Sequence, residues 1–137
     1  YCCWWYVGQT LYGLDDEMKN WKPFFIENSK IPVWLSYLAP INIGAITLFF
    51  LVFSRGEMSE DVKRHETIHF QQMLETLVIP FLIIYFWDYL KGYIKYCRDG
   101  RAAYYSIRAE QEAHTNDIFP DYLEKRKRWA WLWDYKV

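Results

Sequence analysis

Residues 59–80 run "SEDVKRHETIHFQQMLETLVIP", and the order of polar and apolar residues here sets the helical half of the chain. Ser59 is a helix-capping residue, and Glu60 and Asp61 after it favour the positive end of a helix dipole. The next helix breaker is Pro80, so the pattern predicts a helix from about residue 60 to the neighbourhood of that proline. Two of the chain's three histidines fall inside it, four residues apart, with a glutamate directly after the first. On a helix His65 and His69 project from one face a turn apart, so both imidazoles can reach a single tetrahedral ion. Glu66 lies about 100° around the helix from His65. That places its carboxylate beside a metal rather than on it, where it can serve as general base toward a water that the metal activates. The plain alternative is an amphipathic helix with a solvated polar face, in which Arg64, Gln71 and Gln72 are ordinary company.

A catalytic zinc needs a third protein ligand and an open fourth position. Residues 107–117, "IRAEQEAHTND", offer the candidates. Glu110 and His114 are again four apart and share a helical face, whereas Glu112 points about 200° away from Glu110. Only one of the two glutamates can therefore face the ion. Glu110 is the expected third ligand, with His114 placed to hydrogen-bond a ligand or to steady a developing oxyanion. His114 in place of Glu110 is the alternative.

Upstream of the capped helix, Pro23, Pro32 and Pro40 interrupt the chain and predict extended pieces and short turns over residues 20–42. From Ile31 to Phe53 there is no charge. That run suits either a membrane helix or, with its two prolines and its β-branched and aromatic end before Gly56, a buried strand. Downstream of Pro80, "FLIIYFWDYLKGYIKYC" reads as a strongly apolar helix with Asp88 its lone acid, suited to a membrane interface. "RDGR", residues 98–101, is a turn. A further helix is expected from about Ala102 to Asp117, ended by "FPD" around Pro120. The tail places a basic run directly before Trp129, Trp131 and Trp133, which suits anionic headgroups or a helix docking three tryptophans into a core.

The 137 residues suffice for a single domain, residues 1–137, with an aromatic segment at 1–20 and a basic and aromatic tail at 121–137. With 16 Lys and Arg against 17 Asp and Glu, no overall charge invites nucleic acid, which is not an expected partner. Aromatic residues make up 21% of the chain, an excess that suits a membrane–water boundary or a protein interface as well as a core. Cys2, Cys3 and Cys97 fit neither a disulfide framework nor a cysteine metal site, which points to a reducing, cytoplasmic-type compartment. Cys2 and Cys3 beside an aromatic run are also candidates for acylation.

The pair "HETIH" and "EQEAH" resembles the gluzincin group of zinc metallopeptidases, in which H-E-x-x-H is completed by a glutamate on an E-x-x-A-D-like helix. Over residues 59–117 the resemblance implies His65 and His69 as ligands, Glu110 as the third ligand and Glu66 as general base. It departs at His114, where those peptidases carry an aspartate that orients a ligand histidine. Over a longer stretch, "KPFFIENSKIPVWLS", "RHETIHFQQ" and "AYYSIRAEQEAHTND" are similar to small H-E-x-x-H proteins of marine bacteriophages and bacteria, which implies a phage or bacterial source. The expected molecule is thus an α+β, mainly helical, minigluzincin-like domain with a short strand region before the H-E-x-x-H helix and apolar membrane-associating segments. Its expected activity is that of a Zn2+-dependent peptidase acting on a peptide or protein at or near a membrane. The rival expectation is an accessory or structural subunit of a virion or membrane complex, whose zinc site is vestigial or architectural. A membrane-active lysis or pore-forming protein is a third.

Overall fold

A computed structural model describes residues 21–31, 45–48, 50–54 and 56–137. The aromatic N-terminal segment, Cys2 and Cys3, and the run through Pro32 and Pro40 lie outside the described residues. Among the described residues, three short strands, β1 (Phe24–Ile26), β2 (Ala45–Leu48) and β3 (Leu51–Ser54), precede six helices: α1 (Glu60–Thr76), α2 (Val78–Lys95), α3 (Gly100–Tyr105), α4 (Arg108–Asn116), α5 (Tyr122–Lys125) and α6 (Ala130–Trp133). The domain is α+β and mainly helical. Of the two readings of the uncharged run, the strand is the one seen over its described C-terminal part.

The sheet has the order β1-β3-β2. β3 pairs in parallel with β1, Phe25 opposite Val52, and antiparallel with β2, Leu48 opposite Leu51. As the central strand, β3 carries the fully buried Val52. α1 packs against β2, and the Phe50 and Phe70 rings meet at 5.9 Å. At the entry to α1 the backbone N–H of Met58 donates to Glu27, and Lys63 pairs with the same carboxylate. Ser59 caps α1 by accepting from the Val62 N–H.

The break after α1 comes earlier than the proline. Leu77, in left-handed backbone (φ 65°), separates α1 from α2, which turn from each other by 113°. Pro80 sits in the first turn of α2, where a missing N–H costs nothing because the first-turn donors have no intrahelical partner. The turn at 98–101 is present: Cys97 (φ 53°) and Arg98 (φ 70°) are left-handed, and Asp99 caps α3 through the Arg101 and Ala102 N–H groups. The expected single helix over 102–117 is two helices. Ile107 adopts extended backbone (φ −63°, ψ 129°) so that its side chain is fully buried, and Gln111 donates to the freed Ser106 carbonyl.

The core between the helices joins Met73, Phe81, Ile107, Ala109 and Trp131, with Tyr85 and Tyr104 against it. α2 and α3 cross at Gly92, where a Cβ would lie 2.2 Å from Ser106 Oγ and 3.0 Å from Ala103 Cα. Only glycine allows that approach. Two buried acids are matched by arginine: Asp88 receives a two-pronged bond from Arg108 (2.7 and 2.9 Å), and Glu112 receives Arg126 Nε and Nη2 (2.7 and 3.0 Å). The tail is therefore neither wholly headgroup-facing nor wholly docked. Trp131 is fully buried and Arg126 lies inside, while Trp133 is 78% exposed.

Candidate metal centre

α1 and α4 pack side by side and bring the two sequence motifs together. His65 Nε2 and His69 Nε2 lie 3.1 Å apart. Glu110 Oε2 is 3.5 Å from His65 Nε2, and Glu110 Oε1 is 3.4 Å from His69 Nε2. A tetrahedral zinc with nitrogen and oxygen ligands at about 2.0–2.1 Å separates neighbouring donor atoms by about 3.3 Å. The Nε2–Nε2 separation and the approach of each Nε2 to its own Glu110 oxygen lie near that value; with one atom taken from each residue, the three donors lie within 4.8 Å of one another, and all three side chains are nearly buried.

The outward ring nitrogens explain why the inner ones are available. His65 Nδ1 lies 3.1 Å from the Asp117 carboxylate, and His69 Nδ1 lies 2.8 Å from Gln72 Oε1. The Gln72 amide can turn only one way, because its NH2 donates to the Ala109 carbonyl and to Glu112 (3.2 and 2.7 Å), leaving the oxygen for His69. Each imidazole therefore donates from Nδ1, and each Nε2 lone pair points at the other and at a carboxylate. Such a set of converging acceptors is stable only around a cation.

In the metal-free protein a proton serves. Burial disfavours the His69 imidazolium, but the Glu110 carboxylate outweighs it and the pKa rises to about 9. Burial likewise works against the Glu110 carboxylate, yet the charge on His69 and its hydrogen bond hold it well below the usual carboxylate range. Both Glu110 oxygens also accept a tyrosine hydroxyl, Tyr85 at 2.6 Å and Tyr104 at 2.7 Å. Burial and the same carboxylate raise both phenols, which stay protonated and donate.

Glu66 is buried beside this cluster, and its charge acts on His69, Tyr85 and Tyr104. His114 stands at the edge, its Nε2 3.5 Å from Glu110 Oε2 and its ring 4.5 Å from that of His65. Its side chain is 38% exposed, against 4% for Glu110. Burial and the neighbouring His65 lower its pKa. Glu112 faces away, toward Gln72, Tyr122 and Arg126.

Sequence patterning did not single out Asp117, Gln72, Tyr85 or Tyr104. Asp117 supplies the histidine-orienting carboxylate that position 114 lacks, from the end of α4. Gln72, three residues past His69, shares its face, and that spacing was the available signal. Nothing in the sequence marks the two tyrosines among so many aromatics.

No protein-family model, curated protein or solved structure matches this chain. The arrangement of side chains therefore carries the functional argument.

Proposed function

We propose that the protein is a small zinc-dependent metallopeptidase of minigluzincin-like build, working at or near a membrane that faces a reducing compartment. His65, His69 and Glu110 hold the ion and Glu66 is the general base. The observation that carries this reading is the commitment of both Nδ1 atoms to oxygen acceptors, which leaves two Nε2 lone pairs and a carboxylate aimed at one point. Zinc at that point supplies Lewis acidity, polarising a carbonyl and lowering the pKa of a water. Glu66 then takes the proton of the attacking water and delivers it to the leaving amine. His114, more exposed than the ligands, donates to the oxygen that gains charge. Tyr85 and Tyr104 keep Glu110 oriented.

An architectural zinc in an accessory subunit of a virion or membrane complex would close the site with a fourth protein ligand. Among the described residues the possible donors form two groups that share His65, the nearly buried His65, His69 and Glu110 and the more open His65, His114 and Asp117, so a closed site would need the 38% exposed His114 drawn in as the fourth ligand. The test is metal analysis and hydrolysis of a mixed peptide library by the wild type, Glu66→Gln and His69→Ala. Stoichiometric zinc in Glu66→Gln with hydrolysis lost, and zinc lost in His69→Ala, supports the reading. Absence of hydrolysis by zinc-loaded wild type across the library overturns it in favour of the architectural role.

A further inference from the structure

α2 is built inside out. Its inner face buries Phe81, Gly92 and the charged Asp88, while its outer face presents Ile79, Leu82, Ile83, Phe86, Trp87 and Ile94, each more than half exposed. Their spacing of three, one, three, one and seven residues follows one side of an α-helix over about 22 Å. Leu77, at the corner where α2 turns from α1, extends the stripe and is 70% exposed. This is a larger contiguous apolar surface than a solvated helix carries.

The charged side chains that α2 itself exposes are both lysines. From Val78 to Trp87 α2 has no charged residue, and its sole acid, Asp88, is neutralised inside by Arg108. The charged side chains beyond it are Lys91 and Lys95, with the exposed Arg98 and Asp99 just after the helix. Lys91 Nζ lies 5.9 Å from the centre of the Trp87 ring and Lys95 Nζ 5.4 Å from that of Tyr96. An ammonium on a flexible stem beside an amphipathic ring suits the boundary between acyl chains and headgroups. Lys91 also lines a niche with Lys136 and the exposed Trp133. Of the stripe's side chains only Trp87 carries a hydrogen-bonding group, and an amphipathic indole beside Ile, Leu and Phe suits the boundary of a bilayer.

We propose that the outer face of α2 docks on an anionic bilayer, with the Leu77 to Trp87 end below the headgroups and Lys91 and Lys95 at their level. No single helix among the described residues is long and apolar enough to cross a membrane, and an inner face that buries Asp88 against Arg108 suits α2 to lying in the interface. The inner face of α2 carries Tyr85, which donates to Glu110, so docking holds the metal centre one helix thickness from the lipid. Resting on the peptidase reading, this assigns the substrate class: polypeptide segments at or emerging from the membrane surface. The docking itself is independent of catalysis.

The full chain is sedimented with phosphatidylcholine vesicles and with vesicles containing phosphatidylglycerol, alongside Ile83→Gln/Phe86→Gln and Lys91→Glu/Lys95→Glu. Zinc content and circular dichroism report that each variant is folded. The wild type is expected to prefer the anionic vesicles. The apolar-face variant should lose at least about tenfold in partitioning, and the lysine variant should lose the anionic preference, both with zinc unchanged. Equal binding by wild type and the apolar-face variant overturns the proposal. So does failure of the wild type to bind either vesicle, and so does a wild-type dimer, seen by light scattering, that the apolar-face variant dissociates without any vesicle binding. Vesicle binding without hydrolysis leaves docking intact and counts only against the peptidase.

Discussion

His65 Nε2 lies 3.1 Å from His69 Nε2, and the other nitrogen of each ring is already engaged by an oxygen, of Asp117 in one case and Gln72 in the other. Two ring nitrogens that close need something positive between them. The metal-dependent predictions follow from this.

Zinc should stabilise the fold by mass action, by about 2.7 kcal/mol at a free concentration one hundred times its Kd. His69→Ala, which removes a donor, should abolish the zinc-induced rise in melting temperature. Thermal melts with and without chelator check this, and an equal rise in both proteins counts against a His69 ligand.

Asp117→Asn keeps the shape of the side chain and removes the charge behind His65. Zinc affinity should fall about 10–100-fold, the usual cost of losing such an orienting group. Competition titration with a chromogenic chelator gives the value, and an unchanged affinity would show that the Asp117 charge does not act on the ion.

In the metal-free protein His69 is held at about 9, above its ordinary 6.5. Its folded-state pKa is raised, so its contribution to stability is complete below pH 6.5 and is lost as pH rises through about 9, on the order of a few kcal/mol. Chelated protein should therefore melt progressively lower between pH 7 and about pH 9.5, and His69→Gln should flatten that slope. Zinc replaces the proton, so loaded protein should show a weaker decline. Differential scanning calorimetry across pH distinguishes these outcomes.

Arg126 is 5% exposed and bridges Glu75 and Glu112, with Trp131 Nε1 also donating to Glu75. Arg126→Met leaves two buried carboxylates without their cation and should destabilise the fold by about 3–5 kcal/mol. Urea denaturation measures it. A loss below about 1 kcal/mol would mean the pair behaves as a solvated surface bridge.

At the α2 and α3 crossing, Gly92→Ala should cost about 1–3 kcal/mol by overpacking. Ser106→Ala removes the atom that the new Cβ would meet at 2.2 Å, so the double variant should recover part of the loss. Strict additivity of the two changes would place the strain elsewhere.

Much of the centre was legible because it is periodic. Histidines at 65 and 69, and a glutamate at 110 rather than 112, follow from 3.6 residues per turn, and α1 begins at the capping residue Ser59. Boundaries set by tertiary packing were not legible. Leu77 takes left-handed backbone before Pro80, and Ile107 splits an expected helix to enter the core. The groups behind the candidate ligands were hidden for the same reason: Asp117 and Tyr104 reach the cluster from positions off the four-residue repeat, and Tyr85 reaches it from another helix. The tail divided its three tryptophans between core and solvent according to the Arg126 anchor, which composition cannot express.

The chain of contacts from His69 through Gln72 and Glu112 to Arg126 also sets an order of events in synthesis. A ribosome emits the H-E-x-x-H helix well before residue 126, so the imidazole of His69 has nothing to fix its tautomer until the later segment arrives. The geometry of the paired imidazoles is thereby completed only once the segment through residue 126 has been made.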